Sequence, residues 1–157
     1  LPNLIDNTIE LAKNDYDLKK NYDFRHIKII REYTDPMKTV FCVESEIEQV
    51  VFNLLKNAAQ ALNSVNQDEE PSITIRAFDN GPLATFEIED NGPGMDEDTA
   101  RKVFEPFFTT KPVGEGTGLG LAVSYMIVTN IHKGTMEVMS EPNSGARFIV
   151  NLPHNLS

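Results

Sequence analysis

Apolar and polar positions along this chain follow two periods. Leu4, Ile5, Thr8, Ile9 and Ala12 recur at helical spacing, which predicts that residues 4–12 close an amphipathic helix. Residues 13–24 are polar and turn-like. "FRHIKIIREY" (24–33) alternates as a strand that Asp35–Pro36 ends, and the β-branched run "TVFCV" (39–43) reads as a second strand. Ser45 with Glu48 gives a capping-box pattern. Behind it, from about Glu46 to Leu62, the stripe Ile47, Val50, Val51, Leu54, Leu55, Ala58, Ala61, Leu62 has helical spacing. "SVNQDEEPS" (64–72), with Asp68, Glu69 and Glu70, reads as a solvated loop. "SITIRAF" and "ATFEIED", joined across Asp79–Asn80–Gly81–Pro82, read as a hairpin. "DNGPGM" (90–95) is a tight turn at the end of the hairpin's second strand, and a short acidic helix starts at Asp96–Thr99. A helix over about 117–131 is expected to bury Leu119, Ala122, Val123, Met126 and Ile127, and "GTMEVMS" and "ARFIVNLP" close the chain as two strands.

This order of elements predicts an α+β fold, a two-layer sandwich with helices on one face of a mixed, mostly antiparallel sheet. The 157 residues suffice for one domain over 1–157, and they show no repeat or low-complexity segment. Apolar residues make up 40% of the chain, no run approaches the ~20 apolar residues of a membrane span, and no signal-peptide pattern opens it. The single cysteine, Cys42, cannot make an internal disulfide and reads as a small hydrophobe in a strand. With three scattered histidines, it gives no basis for a structural zinc site. These features lead us to expect a reducing compartment, the cytoplasm or the cytoplasmic part of a membrane-bound protein. A net charge of −10 argues against direct nucleic-acid binding. A polyanionic ligand would need a local device, such as helix termini, a metal ion and one or two lysines.

Four stretches carry candidate chemistry. In "GEGTGLGLAVSYMIV" (114–128), glycines stand at 114, 116, 118 and 120 directly before an apolar helix. Each glycine inside a regular element costs roughly 0.5–1 kcal/mol relative to alanine, so their clustering asks for a reason. The spacing fits neither the dinucleotide fingerprint nor the Walker loop. Side-chain-free backbone at a helix N-terminus is nevertheless suited to phosphate, the plainer reading being a flexible surface loop. Asn53 and Asn57, four residues apart, share a helix face beside the core stripe, and their amide oxygens suit Mg²⁺ as well as solvent. Asp90 enters Asn91–Gly92–Pro93–Gly94, where a carboxylate could accept from a ligand amino group or simply close an Asx-turn. "FEPFFTTK" (104–111) holds three phenylalanines that would anchor a loop, and Lys111 is the cation near the glycines.

Together, "NLLKNAAQAL", "DNGPGM", "FEPFFTTK" and "GEGTGLGL" closely resemble the N, G1, F and G2 boxes of the catalytic ATP-binding domain of sensor histidine kinases. That domain belongs to the superfamily of gyrase B, Hsp90 and MutL, and the resemblance covers essentially the whole chain. It implies a Bergerat-type ATP-binding fold and, as cofactors, ATP and Mg²⁺. Asn57 would be the Mg²⁺ ligand, and Asn53 would support metal or phosphates. Asp90 would accept from the adenine amine, and Gly92 and Gly94 would line the base pocket. Lys111 and the 114–120 loop would form a mobile lid, with Gly116, Thr117, Gly118, Leu119 and Gly120 at the phosphates. Asn53, Asn57 and Lys111 would be the catalytic residues. The implied activity is transfer of the ATP γ-phosphoryl group to a histidine on a dimerisation domain, with a response regulator downstream.

Two departures stand beside the resemblance. Ala146 follows Gly145 where the family often has Thr near adenine. No histidine is followed by Glu or Asp: His26 precedes Ile in a strand pattern, His132 precedes Lys133–Gly134, and His154 lies in the tail. The chain therefore reads as a monomeric catalytic fragment that lacks phosphoacceptor and sensor domains and does not autophosphorylate alone. The alternatives are a superfamily ATPase and a nucleotide-sensing module. The ATPases place a Glu where Asn53 stands, and asparagine cannot activate water as a base.

Overall fold

In the computed structural model the described residues are 1–14, 24, 26–34, 36–63, 69–108 and 119–155. They run in the order α1 (Pro2–Asn14), β1 (Lys28–Tyr33), α2 (Glu44–Asn63), β2 (Ser72–Asn80), β3 (Leu83–Asp90), α3 (Glu97–Lys102), α4 (Gly120–Met126), a π-helical turn (Ile127–Ile131), β4 (Thr135–Ser140) and β5 (Ala146–Pro153). The strands form one sheet in the order β1-β2-β3-β5-β4. β1 and β2 are parallel and the remaining pairs antiparallel. A parallel neighbour cannot be reached by a tight turn, and α2 lies in the crossover that links these two strands.

Strand alternation decides which face is buried. Ile75 pairs with Ile88, Ala77 with Phe86, Phe86 with Val150 and Ile88 with Phe148, and all of these side chains are buried. α2 lays Ile47, Val50, Val51, Leu54 and Leu55 into the same core, and α1 adds Ile5, Ile9 and Ala12. The Thr8 hydroxyl, buried on α1, donates to Leu4 O at 2.8 Å. The expected two-layer sandwich, the 72–90 hairpin and the closing hairpin are all present.

Several local expectations are corrected. "TVFCV" pairs with no strand. It crosses one end of the sheet, held by single bonds from Lys38 N to Asp79 Oδ2 (3.0 Å), Phe41 N to His154 O (3.2 Å) and Val43 N to His132 Nε2 (3.0 Å). Its alternation half-buries Val40 and Cys42 and exposes Phe41 and Val43, and burial pushes the Cys42 thiol pKa up. β1 starts only at Lys28, leaving His26 in an exposed turn. α2 begins at Glu44, so Ser45 lies inside its first turn instead of capping it. Ala61 is half-buried, and Ala59 and Gln60 are buried in its place.

The last helix departs most from the periodic reading. After Met126 the backbone widens into a π turn, with His132 N bonded to Ile127 O at 3.1 Å. The buried face is set before this turn, one residue out of phase with the expected stripe. Ser124, Ile127 and Val128 are buried, whereas Leu119 and Met126 are exposed. His132 locks this end: its Nδ1 bonds Ile127 O at 2.9 Å while Nε2 accepts from Val43 N, a pattern that fits a neutral ring.

Candidate nucleotide-binding site

Asp90 occupies a core position. In "ATFEIED" the alternation that turns Ala84, Phe86 and Ile88 inward carries Asp90 inward too, opposite the buried Ile73 and Ala146. It is 6% exposed, and its carboxylate accepts from Gly92 N at 2.8 Å and from the Ala146 amide. Burial pushes the carboxyl up to about 6, the two amides pull it down, and Glu89 adds a smaller upward push. Among the described residues this buried carboxylate has no cationic partner, which is costly to a fold, so the position is a candidate for contact with a ligand. The residue that departs from the family pattern, Ala146, thus contributes through its backbone.

The turn after Asp90 is fixed to its surroundings on both sides. Asn91 Oδ1 accepts from Ser72 N at 2.9 Å, and its amide donates to Glu70 O. Pro93 O accepts from Asn143 N, and Ser140 Oγ accepts from Met95 N at 2.9 Å while donating to Gly145 O at 2.7 Å. Gly94 sits at φ +71°, and a Cβ there would lie 2.0 Å from Glu141 O, so glycine is required by the neighbouring backbone. Gly94→Ala should therefore cost more than about 1–2 kcal/mol and lower the melting temperature even without ligand. Thermal denaturation reads this directly. Gly92 differs, since a Cβ would meet Asp90 Oδ1 at 2.9 Å and Ala61 Cβ at 3.6 Å. It leaves the carboxylate its place beside α2. Asp96 caps α3, accepting from Thr99 N at 2.7 Å, and that bond holds its carboxyl below the usual range.

Asn53, Asn57 and Ala61 recur every four residues on α2, and all three are half-buried at the edge of the core stripe. The stripe connects two ends of a site. At one end the Asn53 amide donates to Gly120 O at 3.2 Å and Ser124 Oγ at 3.1 Å; at the other, Ala61 adjoins Gly92 and hence Asp90. Eight residues of helix separate the ends by roughly 12 Å, with Asn57 midway. Gly120 has helical backbone, and a Cβ on it would meet nothing nearer than Asn53 Cγ at 3.8 Å. Among the described residues the packing does not demand glycine there. No group of three or more His, Cys, Asp or Glu among the described residues is placed to hold a metal. The amide oxygens of Asn53 and Asn57 are the donors that fit Mg²⁺, an ion that keeps waters and shares phosphates.

Of the F-box aromatics, Phe104 anchors the loop, with ring centroids 5.0 Å from Tyr125 and 6.1 Å from Phe148. Phe107 is 74% exposed instead. Lys111, Gly114, Gly116, Thr117 and Gly118 lie outside the described residues, so the lid expectation falls there too. Leu119 directly precedes α4 and is exposed. Sequence reasoning missed Ser124, a single serine in a mostly apolar run, and the Ser140 clamp. His154 packs between Thr39 O and Asp79, at the end of the sheet away from Asp90. Among the described residues no helix is long and apolar enough to cross a membrane.

The buried carboxylate, the amide stripe and Gly120 lie along one edge of α2 in this α+β domain, and comparison with known proteins gives its family. The family of histidine kinase-, DNA gyrase B- and HSP90-like ATPases matches residues 42–156. The chain is 33% identical over 157 residues to the sensor histidine kinase ZraS of Escherichia coli O157:H7, covering 100% of this chain and 31% of ZraS. It is 33% identical over 136 residues to sporulation kinase E of Bacillus subtilis (strain 168), covering 87% of this chain and 18% of that protein. The catalytic domain of histidine kinase ThkA superposes with a TM-score of 0.79 at 28% identity, covering 98% of this chain and 92% of that domain. ThkA has also been solved in complex with the response regulator protein TrrA; that structure covers 99% of this chain and 40% of the ThkA chain, with a TM-score of 0.76 at 26% identity. The chain belongs to this ATPase family, as a catalytic domain of the sensor histidine kinase type. It spans less than a third of the length of the two curated relatives.

Proposed function

We propose that this chain binds Mg-ATP and donates the γ-phosphoryl group to a histidine on a dimerisation domain outside it, from which a response regulator is phosphorylated. The observation that carries the reading is the line Gly120–Asn53–Asn57–Ala61–Gly92–Asp90. It runs from the buried carboxylate of Asp90 at one end of α2 to Asn53 and Gly120 at the other. In this reading Asp90 accepts from the adenine amine and Gly92 leaves room for the base. Asn57 ligates Mg²⁺ with Asn53 beside it, and Lys111 with residues 116–120 attends the phosphates. The roles of Lys111, Gly116, Thr117 and Gly118 rest on sequence alone. Bound Mg²⁺ would offset phosphate charge while the Pβ–O–Pγ bond breaks and a Pγ–N bond forms to the acceptor imidazole.

Transfer is favoured over hydrolysis because Asn53 spends its amide hydrogens on α4 and offers no base to water. The partner assignment is supported by the ThkA–TrrA complex. The test is to mix the chain with γ-labelled Mg-ATP and helical hairpins carrying an acceptor histidine, taken from the relatives. Acid-labile label on the hairpin is expected. Free phosphate without label on any hairpin would assign an ATPase, and nucleotide binding with neither product would assign a sensing module.

A further inference from the structure

Ser124 lies on α4 with 0% exposure, the one polar side chain of that helix in the core. Burying a hydroxyl is costly unless it is hydrogen-bonded, and its partner here is a residue of the proposed site. Asn53 Nδ2 reaches Ser124 Oγ at 3.1 Å and Gly120 O at 3.2 Å. Gly120 and Ser124 are one helical turn apart on α4, and both oxygens lie within reach of this one amide nitrogen. A backbone carbonyl can only accept, and an asparagine amide has two hydrogens to give. The amide cannot be turned over without setting its own oxygen against the Gly120 carbonyl.

We propose that Ser124 is a positioning residue. Together with Gly120 O it occupies both Asn53 amide hydrogens, leaving Oδ1 as the only group Asn53 can offer to a bound Mg-nucleotide. The inference rests on the nucleotide reading and sharpens it. Asn53 then serves the cation or its water shell, because an acceptor oxygen repels phosphate. The same pair of bonds ties α2 to the helix that directly follows the glycine run, so the metal side of the site and the start of α4 are set as one unit.

The test compares ATP affinity with Mg²⁺ and with EDTA, alongside adenosine affinity, in the unaltered chain, Ser124→Ala and Ser124→Thr. Ser124→Ala should shrink the gain from Mg²⁺ by about three- to tenfold while adenosine binds as before, and Ser124→Thr, which keeps the hydroxyl, should retain the gain. An unchanged Mg²⁺ gain in Ser124→Ala, or an equal loss for ATP and adenosine, overturns the proposal. A measurement on the unaltered chain decides it even if the variants do not fold: both side-chain amide hydrogens of Asn53 should exchange slowly by NMR. Exchange as fast as that of an exposed asparagine overturns the proposal, with or without nucleotide. Failure of the unaltered chain to bind ATP and adenosine would instead overturn the nucleotide reading, and the exchange readout would still report on Ser124.

Discussion

Asp90→Asn should weaken ATP binding by about 10- to 150-fold, the worth of a hydrogen bond to a charged acceptor at roughly 1.5–3 kcal/mol, and at the same time make the free protein more stable. The two effects share a cause. Asp90 is buried at a core position of β3 with amide donors only, and burial holds its carboxyl at about 6. The unfolded chain gives up this proton near the ordinary carboxylate value, and the folded chain only near 6. Stability therefore falls as the pH rises between those values and stays lowered above them, by an amount on the order of 1–3 kcal/mol. Asparagine removes that penalty. Urea denaturation at about pH 7.5 and pH 4 should show a gain for Asp90→Asn at the higher pH that fades at the lower. ATP affinity of the unaltered chain should weaken as the pH falls below about 6, because protonation removes the acceptor. A variant that loses stability at neutral pH, or binds ATP normally, contradicts the role given to Asp90.

Asn57→Asp should leave the fold intact and reduce phosphoryl transfer by at least about 100-fold, the scale on which a single electrostatic contact to a transferring group acts. Asn57 is half-buried on the edge of α2, outside the buried set of Ile47, Val50, Val51, Leu54 and Leu55. Replacing its amide therefore does not open the core. A carboxylate there would meet the phosphates with like charge and alter the metal's donor set. Transfer to a supplied acceptor hairpin measures the first effect and thermal melting the second. An unchanged rate would show that Asn57 is a surface residue without a part in the reaction.

The geometry of the candidate site was legible in the sequence where its logic is local. Asp90–Asn91–Gly92–Pro93–Gly94 is a contiguous turn, and Asn53 and Asn57 are spaced by one helical turn; the inward phase of Asp90, in step with Ile88 and Phe86, was there to be counted but was not read. The hairpins were legible because their alternation matches strands covered on one face. What escaped depends on contacts distant in sequence. "TVFCV" has the composition of a strand, but β1 takes β2 as its parallel neighbour, and 39–43 crosses the sheet end without a partner strand. The face of α4 was misplaced because the apolar run 119–128 allows more than one helical phase, and the one buried, Ser124 with Ile127 and Val128, includes a polar residue. Ser124 looked like any serine in a helix until Asn53, 71 residues away, supplied its partner. Gly94 and Gly120 looked alike as site glycines, yet the neighbouring backbone requires the first and leaves space over the second.

Calorimetric titration of the chain with ATP and with GTP, both with Mg²⁺ at about pH 7.5, tests most directly that this is an adenine-nucleotide site read by Asp90. Adenine presents an amine to the carboxylate, whereas guanine presents a carbonyl oxygen that the same carboxylate repels. ATP should bind at least about tenfold more tightly than GTP, and the preference should vanish in Asp90→Asn. Equal affinity for the two nucleotides in the unaltered chain would contradict the account.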